Sequence, residues 1–177
     1  RRRTIAAAVV LVIGAYAYHP ALLVNVLMAG AVLALHARRL RTNDWISLTI
    51  GAAVAGALLL PYGSAILNEP LFTYRHGLVN VFKDGVTPQA IGLAWRNYAE
   101  QWNPQWLFLS GEPNLRNHPG VALLFGWGAP FIVVGLVRAL RRQTPVDALM
   151  LVWLAVGALP AGLTNDGVPH FTRGIFA

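Results

Sequence analysis

The stretch TPQAIGLAWRNYAEQWNPQWLFLSGEPNLRNHPG, residues 87–120, is the one long polar and aromatic interruption in an otherwise apolar chain. It carries rings at Trp95, Tyr98, Trp102 and Trp106, and it closes on a turn-rich run from Gly111 to Gly120. Thr87-Pro88 reads as a helix start: a hydroxyl to accept from the first free amides, then proline at the first helical position. From there Ile91, Trp95, Tyr98 and Trp102 recur at helical spacing on one face, with Gln89, Arg96, Asn97, Glu100 and Gln101 mostly on the other. Such a helix is expected to lie in the membrane interface, apolar face down. Asn103-Pro104 is expected to end it, and Gln105 to Ser110 to form a loop or strand packed beneath.

The surroundings support that setting. Of 177 residues, 56% are hydrophobic and only 12% are charged, against about 25% charged in soluble domains. Five apolar runs follow in order: Thr4 to Tyr18, Ala21 to Ala37, Trp45 to Tyr62, Val121 to Val137 and Val146 to Thr164. A helix rises ~1.5 Å per residue and must cross ~30 Å of hydrocarbon, so the first run is short for a span. His19-Pro20 breaks it from the second, and Pro61-Tyr62-Gly63 closes the third. Gly51, Ala55, Gly56 and Ala57 give the third run a small-residue face for close helix packing. Gly126-Trp127-Gly128 sits within the fourth run and reads as packing. The expected fold is all-α: a multi-pass transmembrane helical bundle of about five membrane segments, with one large outer loop carrying an interfacial amphipathic helix. Residues 1–62 hold three segments, 63–119 the outer loop, and 120–177 two segments and an outer tail.

Charge orients the bundle. If the runs cross alternately, one side holds Arg1, Arg2, Arg3, Arg38, Arg39, Arg41, Arg138, Arg141 and Arg142 against Asp44 and Asp147. The other holds Arg75, Lys83, Arg96, Arg116 and Arg173 against Glu69, Asp84, Glu100, Glu112 and Asp166. The whole net charge of +7 falls on the first side, which the positive-inside rule makes cytoplasmic. Because the arginines cap apolar runs instead of lining one face, the charge does not point to nucleic acid.

The outer side supplies the candidate site. Arg116 and His118 in the turn-rich run, with His170 and Arg173 in the tail, are the candidates for holding a lipid phosphate, since arginine offers a planar fork of donors. Trp95, Tyr98, Trp102 and Trp106 are candidates either for an aromatic belt or for lining a site, because an amphipathic ring suits a ligand part apolar and part polar. No carboxylate pair has a diagnostic spacing. Asn25 and His36, within the second run, are polar groups in lipid; such groups mark function, and a hydrogen bond to a neighbouring helix explains either equally well. The five histidines show no metal-ligand spacing, there is no cysteine, and neither a phosphate-cradling glycine loop nor a dinucleotide fingerprint occurs. No metal or cofactor is expected.

Ordered motifs carry a resemblance: Arg96-Asn97-Tyr98, Trp106-Leu107-Phe108-Leu109-Ser110-Gly111, Asn114-Leu115-Arg116-Asn117, Pro130-Phe131, Gly135-Leu136, Leu151-Val152-Trp153-Leu154, Leu159-Pro160-Ala161 and Pro169-His170-Phe171-Thr172-Arg173. In this order they resemble the later part of bacterial membrane glycosyltransferases of family 39, related to protein mannosyltransferases and lipid A aminoarabinose transferases. The resemblance implies a C-type glycosyltransferase in the bacterial cytoplasmic (inner) membrane, taking a sugar from a polyprenyl-phosphate donor at the outer, periplasmic face. It implies membrane lipid and that donor as partners. It also implies a catalytic carboxylate on a first outer loop that lies outside this chain, which then reads as a fragment. The chain departs from its relatives at Tyr16-Ala17-Tyr18-His19-Pro20-Ala21, where they often carry an arginine after the turn. The alternatives are a non-catalytic membrane scaffold or a piece of a transporter or flippase, the latter needing broken or polar helices at the midplane.

Overall fold

The computed structural model describes residues 2–68, 78–110 and 122–165. All regular elements among them are helical. By its internal contacts the chain divides into two compact units, Arg1–Gly77 and Leu78–Ala177.

The first unit is three helices. Helix α1 spans Arg2–Ala17, α2 spans Pro20–His36 with a 3-10 turn at Ala37–Arg39, and α3 spans Thr42–Asn68. The break between α1 and α2 falls where His19-Pro20 puts it, with Pro20 at the first helical position. His19 itself keeps helical dihedrals, against the usual bias before proline, so the chain turns at Tyr18, whose carbonyl accepts from Ala21 N at 2.9 Å. Helix α1 buries Ala8, Val12 and Ala15, a stripe at helical spacing, and α2 buries Ala21 and Val24; α1 packs on α3 and on α2. Asn25 spans this contact: its Nδ2 donates to Leu11 O at 3.0 Å. His36, in contrast, bonds within its own helix, Nδ1 to Val32 O at 2.9 Å.

Helix α3 runs parallel to α1. At one end Gly51 is buried against Thr4, where an added β-carbon would stand 3.1 Å from Thr4 Cγ2. At the other, Tyr16 Oη donates to Leu58 O at 2.8 Å. Since α2 is antiparallel to α1, the starts of α1 and α3 and the end of α2 share one end of this unit. Arg2, Arg3, Arg38, Arg39 and Arg41 gather there. The small-residue face therefore works through Gly51 alone among its glycines; Gly56 faces open space.

Pro61 does not close α3 as its sequence predicts. The helix continues through it to Asn68, so residues 63–68 are helical. Proline cannot donate to the carbonyl one turn back, here Ala57 O, but that single lost bond does not end the helix. Around it Tyr16 Oη donates to Leu58 O and Ser64 Oγ donates to Pro61 O, each at 2.8 Å. Tyr62 then sits between two rings, edge-on to Tyr16 at 5.3 Å and stacked on His19 at 5.5 Å.

The second unit holds α4 (Pro88–Glu100), a π-helical turn at Trp106–Ser110, a 3-10 turn at Gly126–Gly128, α5 (Ala129–Arg142), α6 (Pro145–Gly157) and the short α7 (Leu159–Gly162). Thr87 caps α4, its Oγ1 accepting from Ala90 N at 3.1 Å. The helix stops at Glu100, three residues short of the Asn103-Pro104 breaker. Asn103 instead organises the next turn, with its Oδ1 accepting from Gln105 N at 3.0 Å and its carbonyl from Leu107 N at 2.9 Å. The segment expected as loop or strand is therefore π-helical. Helices α5 and α6 form a hairpin through Gln143, which takes a left-handed φ of 50°. Thr144 and Asp147 cap α6 reciprocally.

Among the described residues, three helical stretches are long and apolar enough to cross a membrane: Pro20–Arg39, Thr42–Asn68 and Pro145–Gly162. They correspond to the second, third and fifth apolar runs. The first run gives α1, 16 residues long, about 24 Å. The fourth run is displaced. Pro130 sets the helix start at Ala129, and the helix then continues through Arg138 to Arg142, 14 residues in all and about 21 Å. Much of the chain's apolar surface is outward: Val10, Ile13, Leu60, Phe131, Val134 and Met150 are all exposed. Exposure on this scale is what helices surrounded by lipid carry.

Candidate functional site: an aromatic ladder on helix α4

The four aromatic candidates divide into a ladder of three and one buried anchor. Trp95 stacks on Tyr98 with centroids 5.7 Å apart and an interplanar angle of 27°. Tyr98 meets Trp102 edge-on at 6.2 Å. Trp95 is 70% exposed, and Tyr98 and Trp102 are half-buried. Trp106 is 4% exposed and makes no ring contact with the ladder; its indole N–H has no hydrogen-bond partner among the described residues.

The ladder is held from behind by the polar face of α4, opposite to the simple amphipathic expectation. Asn97 and Gln101 are the buried ones, at 5% and 3% exposure. Asn97 Nδ2 donates to Thr164 O at 2.8 Å, and Tyr98 Oη donates to Ala155 O at 3.0 Å. Gln101 Nε2 reaches Asn97 O at 3.4 Å. A buried amide is stable only with its partners present; here the partner is the backbone leaving α7. Gly162 permits the approach, because a β-carbon there would stand 2.9 Å from Tyr98 Cβ and 3.2 Å from Ala94 O. Beyond it, residues 163–165 pair with 79–81: Val81 N donates to Leu163 O at 3.1 Å, Asn165 N to Val79 O at 2.7 Å, and Asn80 forms an antiparallel bridge with Thr164.

A second ladder went unread in the sequence. Phe125 stacks on Trp127 at 5.8 Å, and Trp127 meets Phe131 edge-on at 6.4 Å; all three rings are exposed. Trp127 is thus not a packing residue between glycines, as the apolar run had implied. The available signal was the placement of three rings within seven residues beside Pro130, where a helix must begin.

The phosphate candidates Arg116, His118, His170 and Arg173 lie outside the described residues, as do Glu69, Glu112 and Asp166. Of the other carboxylates that the charge pattern groups with them, Glu100 Oε2 accepts from Asn103 Nδ2 at 3.3 Å and Asp84 is exposed in a turn. Among the described residues no three His, Cys, Asp or Glu side chains come together as a metal site would require. What the described residues present is a row of flat, amphipathic rings on α4, with that helix held against α6 and the backbone following α7. No protein family, curated protein or solved structure matches this chain.

Proposed function

We propose that this chain is part of an integral-membrane glycosyltransferase that moves a sugar from a polyprenyl-phosphate donor on the outer face of a bacterial inner membrane. In this reading all five apolar runs lie in the membrane, the arginine clusters are cytoplasmic, and residues 63–119 are outside. The observation that carries it is the fixed ladder of Trp95, Tyr98 and Trp102. A polyprenyl-linked sugar is an apolar chain joined to a polar ring, and amphipathic aromatic faces accommodate both parts. Two further observations support it. Asn97 and Tyr98, from one of the resembling motifs, hold α4 against the backbone around another, Leu159-Pro160-Ala161. Helix α5 has exposed rings at its start and three arginines at its end, the pattern of an element with an aromatic belt at one interface and snorkelling cations at the other.

The role assigned to this chain is to bind and orient the donor, with Arg116, His118, His170 and Arg173 proposed for its phosphate. The catalytic carboxylate is assigned to an outer loop elsewhere in the parent protein. The test is sugar transfer by the full-length parent in membranes supplied with labelled polyprenyl-phosphate sugars. Transfer that disappears when an upstream outer-loop carboxylate is removed upholds the reading. Absence of transfer from every donor, in protein shown to be folded, replaces it with a scaffold.

A further inference from the structure

We propose that the carboxyl-terminal half of α5 is a binding site for one anionic phospholipid, with its phosphate held by Arg138, Arg141 and Arg142 and an acyl chain lying on Val133, Val134 and Val137. These six residues line one shallow groove. Their spacing explains why. Val133, Val137 and Arg141 form one row at intervals of four, and Val134, Arg138 and Arg142 form the row beside it. Both rows begin apolar and end in guanidinium groups, so the face changes from hydrocarbon-like to cationic along the helix axis. The arginines span about 6 Å of helix rise, a compact cluster for a single phosphate.

The charge is available. Among the described residues, none of the three guanidinium groups is engaged in a hydrogen bond or ion pair. The carboxylate in electrostatic range of Arg142 and Arg138 is Asp147, whose Oδ2 already accepts from the Thr144 amide at 3.2 Å and from the Thr144 hydroxyl. Three arginines against one committed carboxylate leave a cationic face. The left-handed turn at Gln143 ends the helix just beyond them, where the carboxyl end of the helix dipole favours cations. A phosphate diester matches the planar forks. The valine rows give an inorganic anion nothing to bind, whereas they continue the hydrocarbon environment of a lipid tail. No residue of α5 is buried, as expected of a helix whose surroundings are lipid. The proposal rests on α5 and its turn alone, independently of any sugar transfer.

The test is native mass spectrometry of the full chain in detergent, titrated with phosphatidylglycerol or phosphatidylcholine. The expected result is a saturable one-lipid adduct with phosphatidylglycerol and at least ten-fold weaker binding of phosphatidylcholine. R138Q, R141Q and R142Q should each weaken the phosphatidylglycerol adduct about five-fold, while R141K retains most of it. Should R138Q or R142Q fail to fold, the R141Q variant decides the matter. Equal binding of the two lipids, or phosphatidylglycerol binding unchanged by R141Q, overturns the proposal. Competition by inorganic phosphate as effective as that by short-chain phosphatidylglycerol also overturns it, because the valine rows would then contribute nothing.

Discussion

Gly162 and Tyr98 approach so closely that a β-carbon at position 162 would stand 2.9 Å from the Tyr98 β-carbon. Backbone and β-carbon atoms cannot swing aside as a side-chain tip can. Gly162→Ala is therefore expected to cost about 1–3 kcal/mol, the usual range for overpacking. Gly30→Ala, in a helix where the added carbon meets nothing, is expected to be neutral or to stabilise by up to about 1 kcal/mol. Denaturant unfolding in detergent, followed by tryptophan fluorescence, measures both. Equal effects at the two positions would contradict the packing of α4 on α7.

Asn97 bonds a carbonyl that lies far away in sequence. Asn97→Leu keeps the size and removes the donor, leaving Thr164 O short of a partner. The expected loss is about 1–3 kcal/mol. Asn97→Asp should be worse, since it sets a carboxylate against a carbonyl oxygen. The same unfolding measurement ranks the two variants, and an innocuous Asp variant would sink the assignment.

The Tyr16 hydroxyl donates to the Leu58 carbonyl of α3, close to Pro61. Tyr16→Phe should cost about 0.5–1.5 kcal/mol. Pro61→Ala lets residue 61 donate to Ala57 O, a different acceptor, so Tyr16→Phe should cost the same in that background. A double-mutant cycle checks this, and a measurable coupling would show that the proline governs the Leu58 carbonyl after all.

The two kinds of tryptophan on and after α4 should part under mutation. Trp106→Ala removes a buried ring and is expected to destabilise by about 3–5 kcal/mol. Trp95→Ala removes an exposed one and should leave stability within about 0.5 kcal/mol; under the proposed function it also raises the KM for the polyprenyl-phosphate donor. Unchanged kinetics in the Trp95 variant would return the ladder to a plain interfacial anchor.

Membrane orientation is testable because the chain has no cysteine. With Thr42→Cys and Ser110→Cys as single reporters, an impermeant thiol reagent added outside is expected to label position 110 and not 42. Labelling of 42 alone would invert the topology.

What was legible in the sequence was local. The start of α4 follows from Thr87 and Pro88 alone, and the α1–α2 break from His19-Pro20, because each depends on groups one or two residues apart. Periodicity also placed Trp95, Tyr98 and Trp102 on one side. It misjudged the other side: Asn97 and Gln101 read as outward-facing because their composition is polar, and only the distant Thr164 carbonyl makes burial of Asn97 favourable. Pro61 misled because a proline inside a helix removes one donor, here from Ala57 O, without having to end the helix. The π-helical turn at Trp106–Ser110 has no pattern of its own; its geometry follows from Asn103, whose side chain and carbonyl both bind the turn's first amides.

Thr164 belongs to two structures at once. Its carbonyl is bound by α4 through Asn97, while its neighbours Leu163 and Asn165 are paired with the backbone at 79–81. Neither partner can let go without loosening the other's hold. In hydrogen-exchange terms, the amides of Val81 and Asn165 should open together with the Asn97 side chain, as one cooperative event in place of three separate fluctuations. A rim built this way behaves as a rigid seat for the rings of α4, and any motion needed to admit a ligand has to come from elsewhere.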